Sequence, residues 1–593
     1  MRVRSGVVLV VAAALGAAAN AHASTFVVTR TDDPAPSACD SDCSLREAVR
    51  AVNAGSGGDT IQLAAGRYVL TIGGAGEDTA ATGDLDLLKN VTISGAGAGA
   101  TVIDASGTDR AFDVFTGVIA TIGGVTITGG RVDADGGAIR NAGSLTLARD
   151  SITGNEALTA TLRRGGGIFT TTGLTVTQST IAGNRAYNGG AVAVMGTAAV
   201  TVDDSTIAGN LAGGPGSNGV GGGFVVAAGT TLAIRSSTIS GNQSFNGAAS
   251  GGGIFGISAS LENTIVANNL SHEPNQSATR LDNCAVGTLT SNGHNLSDGT
   301  DCNLSGNGDR PGVDAKLGAL GDHGGGTDTM APLAGSPAID AGAGCPPIDQ
   351  RGLSRPRGSA CEIGAYEVAP PVVATTPARA IGLNSVILAG TVDPSLQLTS
   401  FRFEFGTTTA YGSTSALQWA SPGASLVASA ALTGLKAGTT YHYRIVATNA
   451  DGTQAGSDMS FTTLDRTPPR LTLLRVSPGI FRAVKGAKIL YTLSEAGTVT
   501  FKVDRVLTGV RVGRSCVAKT KRRKRGRPCT RYIPTKGTIV QTAKLGTNSL
   551  RFDTRRGPGT TRLAAGAYRL DAIPRDLAKN LGKTAVAAFR VRR

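Results

Sequence analysis

At 593 residues, 84 of them Gly and 4% aromatic, the chain is too long for one compact domain and too glycine-rich for helical bundles, so several β-rich modules are expected. The formal net charge of +14 conceals an asymmetry: residues 466–593 hold 31 Lys and Arg against 5 Asp and Glu, whereas residues 1–465 hold 25 against 37. An acidic body precedes a strongly basic end, and anionic partners are expected for that end alone.

Arg2 and Arg4 precede an apolar run from Val7 to Ala19, and Ala21-His22-Ala23 offers a small-x-small cleavage site. Residues 1–23 therefore read as a secretory signal with Ser24 as the mature start. The run is short for a membrane anchor, and no integral membrane segment is expected once the signal is removed. The eight cysteines fall into four local pairs, Cys39/Cys43, Cys284/Cys302, Cys345/Cys361 and Cys516/Cys529. With an export signal, such even pairing points to disulfides and to a secreted or cell-surface location. Zinc is the weaker reading, because no Cys-x-x-Cys pair or nearby His supplies a tetrahedral set.

Residues 24–58 contain the clearest helix signal. Ser44 and Glu47 make a Ser-x-x-Glu capping box, Leu45, Ala48, Val49 and Val52 share one face, and Gly55 ends the pattern. Asp42-Cys43-Ser44-Leu45-Arg46-Glu47-Ala48, with Gly58-Asp59-Thr60-Ile61 and Gly66-x-Tyr68 after it, resembles the CSLREA-type N-terminal domain of secreted bacterial β-helix proteins. Cap and surface roles, not catalysis, are expected for Arg46 and Glu47.

Residues 59–280 carry the repeats. Strand runs at Val91-Thr92-Ile93 and Val125-Thr126-Ile127 lead into five units that open on Gly136-Gly137, Gly165-Gly166, Gly189-Gly190, Gly221-Gly222 and Gly251-Gly252, spaced 29, 24, 32 and 30 residues apart. Each unit closes on an isoleucine with an asparagine three residues later, giving Asn155, Asn184, Asn210, Asn242 and Asn268. A unit this short cannot bury its own apolar face, so the units are expected to stack as coils of a parallel β-helix about 4.8 Å apart. The asparagines would form a structural ladder at a corner where a left-handed backbone is tolerated. The Gly-Gly and Ile-x-x-Asn units are similar to those of chlamydial-type polymorphic outer-membrane proteins and related adhesins.

The variable stretches between each Asn and the next Gly-Gly should share one side of the rod. There Arg163, Arg164, Arg185 and Tyr187 offer candidate ligand contacts from adjacent units, with ordinary solvated loops as the alternative. Polysaccharide lyases and hydrolases also use this scaffold, and Asp133, Asp135, Asp203, Asp204 and Glu262 are the candidate acids. Asp203 and Asp204 are adjacent and so point to opposite faces of a strand, and the residues three before the closing Ile read Arg149, Gln178, Asp204, Ser236 and Glu262, the pattern of a solvated face. Catalysis is therefore the rival reading. His272, His294 and His323 lie outside the repeats and lack partners at ligand spacing. No cofactor is expected and no metal site is assigned: loop carboxylates of the acidic rod leave calcium binding open, but calcium nonapeptides, EF-type loops and phosphate loops are all missing from the sequence.

From 281 to 369 the pattern loosens. Gly324-Gly325-Gly326-Thr327, Ser336-Pro337-Ala338-Ile339-Asp340, Asp349-Gln350-Arg351-Gly352 and Cys361-Glu362-Ile363-Gly364-Ala365-Tyr366-Glu367 resemble the choice-of-anchor Q domain, whose members are secreted β-helix proteins. After a proline-rich linker, residues 370–465 resemble a fibronectin type III sandwich through Leu432-x-Gly434-Leu435-x-x-Gly438-Thr439-x-Tyr441, with Tyr441 in the packing role of a tyrosine corner. Residues 466–593 read as a basic immunoglobulin-like sandwich. Its Cys516 to Cys529 loop carries Lys519, Lys521, Arg522, Arg523, Lys524, Arg525 and Arg527, the candidate anion-binding residues. Glycans and anionic envelope polymers are the favoured partners, and nucleic acid is second choice because no aromatics interleave the cations. The expected fold class is all-β: a right-handed parallel β-helix with an N-terminal capping helix, followed by two β-sandwich domains.

Overall fold

The computed structural model describes residues 23–157, 162–215, 217–247, 249–273, 279–482, 485–520, 526–553 and 563–593. The proposed signal up to Ala21-His22, and the cations Lys521, Arg522, Arg523, Lys524 and Arg525, lie outside the described residues.

Period-2 alternation with inward Val, Ile and Leu makes each repeat a coil of short strands, and the coils stack in parallel register. Ile152, Ile181, Ile207, Ile239 and Val266 form one continuous inward column. Leu145, Leu174, Val200 and Leu232 form another. These side chains are fully or almost fully buried in a single core that runs the length of the rod. Burial of each contributes about 1.5–3 kcal/mol. The paired glycines have a shared cause. The first sits at positive φ (69° at Gly165, 66° at Gly189), and a Cβ on the second would meet the backbone of the short strand that closes its own unit, 2.5 Å from Arg185 at Gly166 and 2.6 Å from Leu211 at Gly190. That backbone belongs to two-residue strands, Glu156–Ala157, Arg185–Ala186, Leu211–Ala212 and Gln243–Ser244, which stack as a further wall. They are too short for an alternating pattern to reveal.

The asparagine ladder forms, with two corrections. Asn155 Nδ2 donates to Asn184 Oδ1 (2.9 Å), Asn184 to Asn210 (3.0 Å), Asn210 to Asn242 (2.9 Å) and Asn242 to Asn269 (2.9 Å). The fifth rung is therefore Asn269, not Asn268, and it donates in turn to Asn283 Oδ1 (3.0 Å). In this coil Ile265 and Val266 are both apolar, and it is Val266 that pairs with Ile239. The left-handed backbone also lies one residue earlier than expected. Gly154, Gly183, Gly209 and Gly241 have φ between 63° and 69°, and Asn268, at φ 59°, occupies that glycine column.

At the N-terminal end the helix Leu45–Ala54 lays Leu45, Ala48, Val49 and Val52 on the core. Its capping box is complete, with Ser44 N donating to Glu47 Oε2 (2.8 Å) and Glu47 N to Ser44 Oγ. Burial acts to raise the Glu47 carboxyl, but donors from Ser37 and Ser44 hold it at about 2. Arg46 is not a surface residue. It is fully buried, bonded through two nitrogens to Asp33 (2.8 and 3.0 Å), with further bonds to the carbonyls of Gly83 and Asp84.

Beyond the strand Cys284–Ser291 the chain adds Leu296–Ser297 and Arg310–Pro311 to the rod and then runs back along its flank. Two sandwiches follow. The first packs Val372–Arg379, Ser385–Asp393 and Leu426–Thr433 against a second antiparallel sheet built on Thr399–Gly406 and Thr440–Asn449. Tyr441 Oη accepts from Lys436 N at 3.0 Å, the upstream bond expected of a tyrosine corner. The second sandwich is organised on the strand Gly497–Val512, which outruns the core and pairs near its end with Ser515–Ala518 and Pro528–Pro534. The architecture is thus all-β apart from the cap: a parallel β-solenoid followed by β-sandwich regions.

Candidate functional site

The returning segment decides what one flank of the rod can do. Arg149, Gln178, Asp204 and Ser236 sit at positive φ, as does Asn263 in place of Glu262, so this column is a bend and not a strand position. It is not solvated. Gln178 Nε2 donates to Asp349 O (3.0 Å), Thr180 Oγ1 to Asp328 O (2.6 Å), Thr206 Oγ1 to Gln350 Oε1 (2.6 Å) and Asn263 Nδ2 to Ala343 O (2.7 Å). Asp349 and Arg351 form a fully buried ion pair at 2.8 Å, and the Arg351 guanidinium lies 3.5 Å from the centre of the Tyr366 ring. Tyr366 Oη donates to Asp451 in the first sandwich (2.7 Å). The Asp-Gln-Arg and Glu-Ile-Gly-Ala-Tyr-Glu motifs therefore lock the returning segment to the rod and to the domain after it.

Each candidate acid has an assignment or an open position. Asp133 faces Arg163 (3.2 Å) and Asp135 faces Arg164 (2.8 Å), so the acidic and basic candidates on this side pair from coil to coil. Asp203 lies beside Arg235 of the next coil (2.8 Å), and Glu262 follows Arg235 in register. Asp204 is buried 3.9 Å from Arg355, and burial, opposed by Arg355, pushes its carboxyl up to about 7. Glu262 is half-buried on the outer wall.

Arg163, Arg164, Arg185 and Tyr187 do come from adjacent coils. Tyr187 N donates to Arg163 O (3.0 Å), and Arg164 bridges to Asn188. Arg164 also lies 5.1 Å from the ring centre of Phe169, part of a small apolar cluster with Ala193 and Val225. Arg185 follows Glu156 in register, half-buried, and its Nη2 reaches Gly214 of the next coil. The histidines are absorbed locally: His272 stacks on Phe245 (4.4 Å), His294 Nδ1 lies 2.8 Å from Ala341 O, and His323 meets the Tyr366 ring edge-on.

The basic end is different. Arg511, Arg514, Lys519 and Arg527 are exposed around the Cys516–Cys529 disulfide and make no ion pair among the described residues. The exposed Tyr532 ring nearby carries the guanidinium of Arg569 at 4.7 Å. The other three expected pairs, Cys39–Cys43, Cys284–Cys302 and Cys345–Cys361, are likewise bonded.

Sequence reasoning missed two acidic groups. Asp84, Asp86 and Asp113 converge beneath the turn that precedes Leu85–Leu87, and Asp465, Glu495 and Asp576 converge where the two sandwiches meet, beside a cavity of about 290 Å³. Burial pushes Asp84 and Asp86 up to about 7, against opposing contributions from Arg110 and Ala80 N. No Gly-Gly marks the early coils, so the sequence held no signal that Asp86 and Asp113 are register neighbours. Among the described residues, no helix is long and apolar enough to cross a membrane.

No family model matches the sequence, and no curated protein matches it. Among solved structures, the chain is similar to the sensor domain of the anti-sigma factor RsgI4 of Pseudobacteroides cellulosolvens (22% identity over 16% of this chain and 90% of that one, TM-score 0.14). It is also similar to the fibronectin(III)-like modules of Clostridium thermocellum CbhA (12% identity, 37% and 94% covered, TM-score 0.20) and to the FN1–FN3 domains of chicken CNTN1 (13%, 38% and 66%, TM-score 0.15).

Proposed function

We propose that this chain is an extracellular binding protein in which the solenoid is a rigid spacer and the basic terminal domain holds anionic envelope polymers. The observation that carries the reading is the contrast in charge. On the rod, Asp133, Asp135 and Asp203 pair with Arg163, Arg164 and Arg235 of the adjacent coil, whereas four exposed cations around the Cys516–Cys529 disulfide have no carboxylate partner among the described residues. Five more cations, Lys521 to Arg525, belong to the same loop by sequence. Several weak contacts of about 0–1 kcal/mol each sum to useful avidity on a polyanion, and a loop closed by a disulfide presents them together. The motif resemblances to CSLREA-type and choice-of-anchor Q segments of secreted bacterial β-helix proteins support an outward location, as do four disulfides.

The test has two arms. Neutralising Lys521, Arg522, Arg523, Lys524 and Arg525 should move the protein from the cell fraction to the medium, and retention of that variant through a salt wash would defeat the attachment role. Incubation of the purified chain with polyuronates and neutral glycans should release no new reducing or unsaturated ends. Their release would establish the rival, a polysaccharide-cleaving solenoid.

A further inference from the structure

Near the N-terminal end of the rod the strands Leu85–Leu87 and Phe112–Val114 are parallel and in register, which sets Asp86 beside Asp113 on adjacent coils. With Asp84, each contributes a carboxylate oxygen, and the three oxygens lie within 4.8 Å of one another. All three residues are buried, with 3%, 1% and 3% exposure for Asp84, Asp86 and Asp113. Asp109 adds a fourth buried carboxylate nearby. The cations present are Arg110, whose Nη1 lies 2.9 Å from Asp84 and 3.5 Å from Asp113, and Arg140, 2.6 Å from Asp113 Oδ2. Four carboxylates thus face two guanidiniums where water is scarce, and buried charge left uncompensated is costly. Independently, Asp86 Oδ1 and Asp113 Oδ1 are buried and meet no hydrogen-bond donor among the described residues. Buried acceptors of this kind ordinarily have a partner, and a cation bound between them would serve both.

We propose that Asp84, Asp86 and Asp113 bind a hard divalent cation of calcium type. The donor set is all carboxylate oxygen, which excludes a preference for soft or nitrogen-seeking metals. Magnesium keeps several waters in its shell, and a site this buried suits an ion that takes protein oxygens instead. The ion would fasten the turn before Asp84 to the second coil. That turn also supplies the Gly83 and Asp84 carbonyls gripped by Arg46, and its Ala80 N donates to Asp86 Oδ2 at 2.6 Å. Cap helix, turn and first coils would then be tied through one charged centre.

The experiment is calorimetric titration and thermal unfolding of the chelator-stripped full chain with CaCl2 and, separately, MgCl2. The expected result is a saturable Ca2+ binding heat and a higher unfolding temperature of the solenoid with Ca2+. Asp86→Asn should weaken Ca2+ at least about tenfold. Asp203→Asn, on the outer wall beside Arg235, should bind as the parent does. The proposal is overturned if the parent chain shows neither heat nor a thermal shift with Ca2+, since a shared proton or Arg110 alone would then close the cluster. It is also overturned if Mg2+ binds more tightly than Ca2+, or if Asp86→Asn keeps the parent affinity, which would place the ion elsewhere, such as on Asp465, Glu495 and Asp576. The parent comparison with and without Ca2+ stands whether or not the variant folds.

Discussion

The rod and the basic end domain handle charge in opposite ways. In the rod, parallel stacking sets every outward residue beside its equivalent in the next coil, so a run of like charges would repel along the whole column. The column Asp203, Arg235, Glu262 alternates in sign, and Asp133 and Asp135 are answered by Arg163 and Arg164. In the end domain no repeat constrains the surface, and cations accumulate on a hairpin that extends past its core. In the function proposed above, self-pairing belongs to the scaffold and unbalanced charge to the surface that takes a partner.

The largest expected effect tests whether the rod is one cooperative scaffold. Ile207 is fully buried between Ile181 and Ile239, so Ile207→Ala should destabilise the solenoid by about 2–5 kcal/mol in denaturant unfolding, with little change in the end domain. A loss under 1 kcal/mol would mean that coils tolerate a void independently. Next in size is the ladder. Asn210→Ala removes the acceptor for both the backbone and side-chain N–H of Asn184, so a cost of about 2–4 kcal/mol is expected. Asn268→Ala should cost about 1 kcal/mol or less, since it touches only a left-handed turn position. Equal losses from the two would contradict the ladder assignment.

A smaller effect is expected from pH. Asp204 is raised from an ordinary carboxyl value to about 7 in the folded rod, so between pH 4 and 7 the folded state binds more protons than the unfolded chain. Its stabilising share is therefore present at acid pH and is lost as pH rises through about 7. Asp204→Asn should flatten the pH dependence of solenoid unfolding over that window, and an unchanged slope would show that Asp204 is not its source. The smallest effect is expected from the exposed pair. Arg235→Ala should cost no more than about 1 kcal/mol and leave ligand retention intact.

Legibility in the sequence followed the range of the contacts. Coil, cap helix and tyrosine corner depend on patterns within a few residues, and all three could be read directly. The flank could not: Gln350 meets Thr180 across 170 positions, and no local pattern shows that the bend column is covered. The ladder shifted by one residue at Ile265-Val266 because two adjacent apolar residues leave the register open. Asp84, Asp86 and Asp113 stayed hidden because the turn before Leu85 breaks the repeat. Among the candidate binding residues, the cations of the end domain were legible from composition alone.

The contrast between rod and end domain is tested most directly by retention of the full chain on immobilised polyphosphate across a salt gradient, compared with a variant in which Lys519, Lys521, Arg522, Arg523, Lys524, Arg525 and Arg527 are all replaced by Gln. The screening length falls from about 8 Å at physiological ionic strength to about 3 Å at 1 M. The parent chain should be retained at physiological salt and released before 1 M, and the variant should pass through unretained. Equal retention of the two proteins, or retention that persists at 1 M salt, would contradict the account.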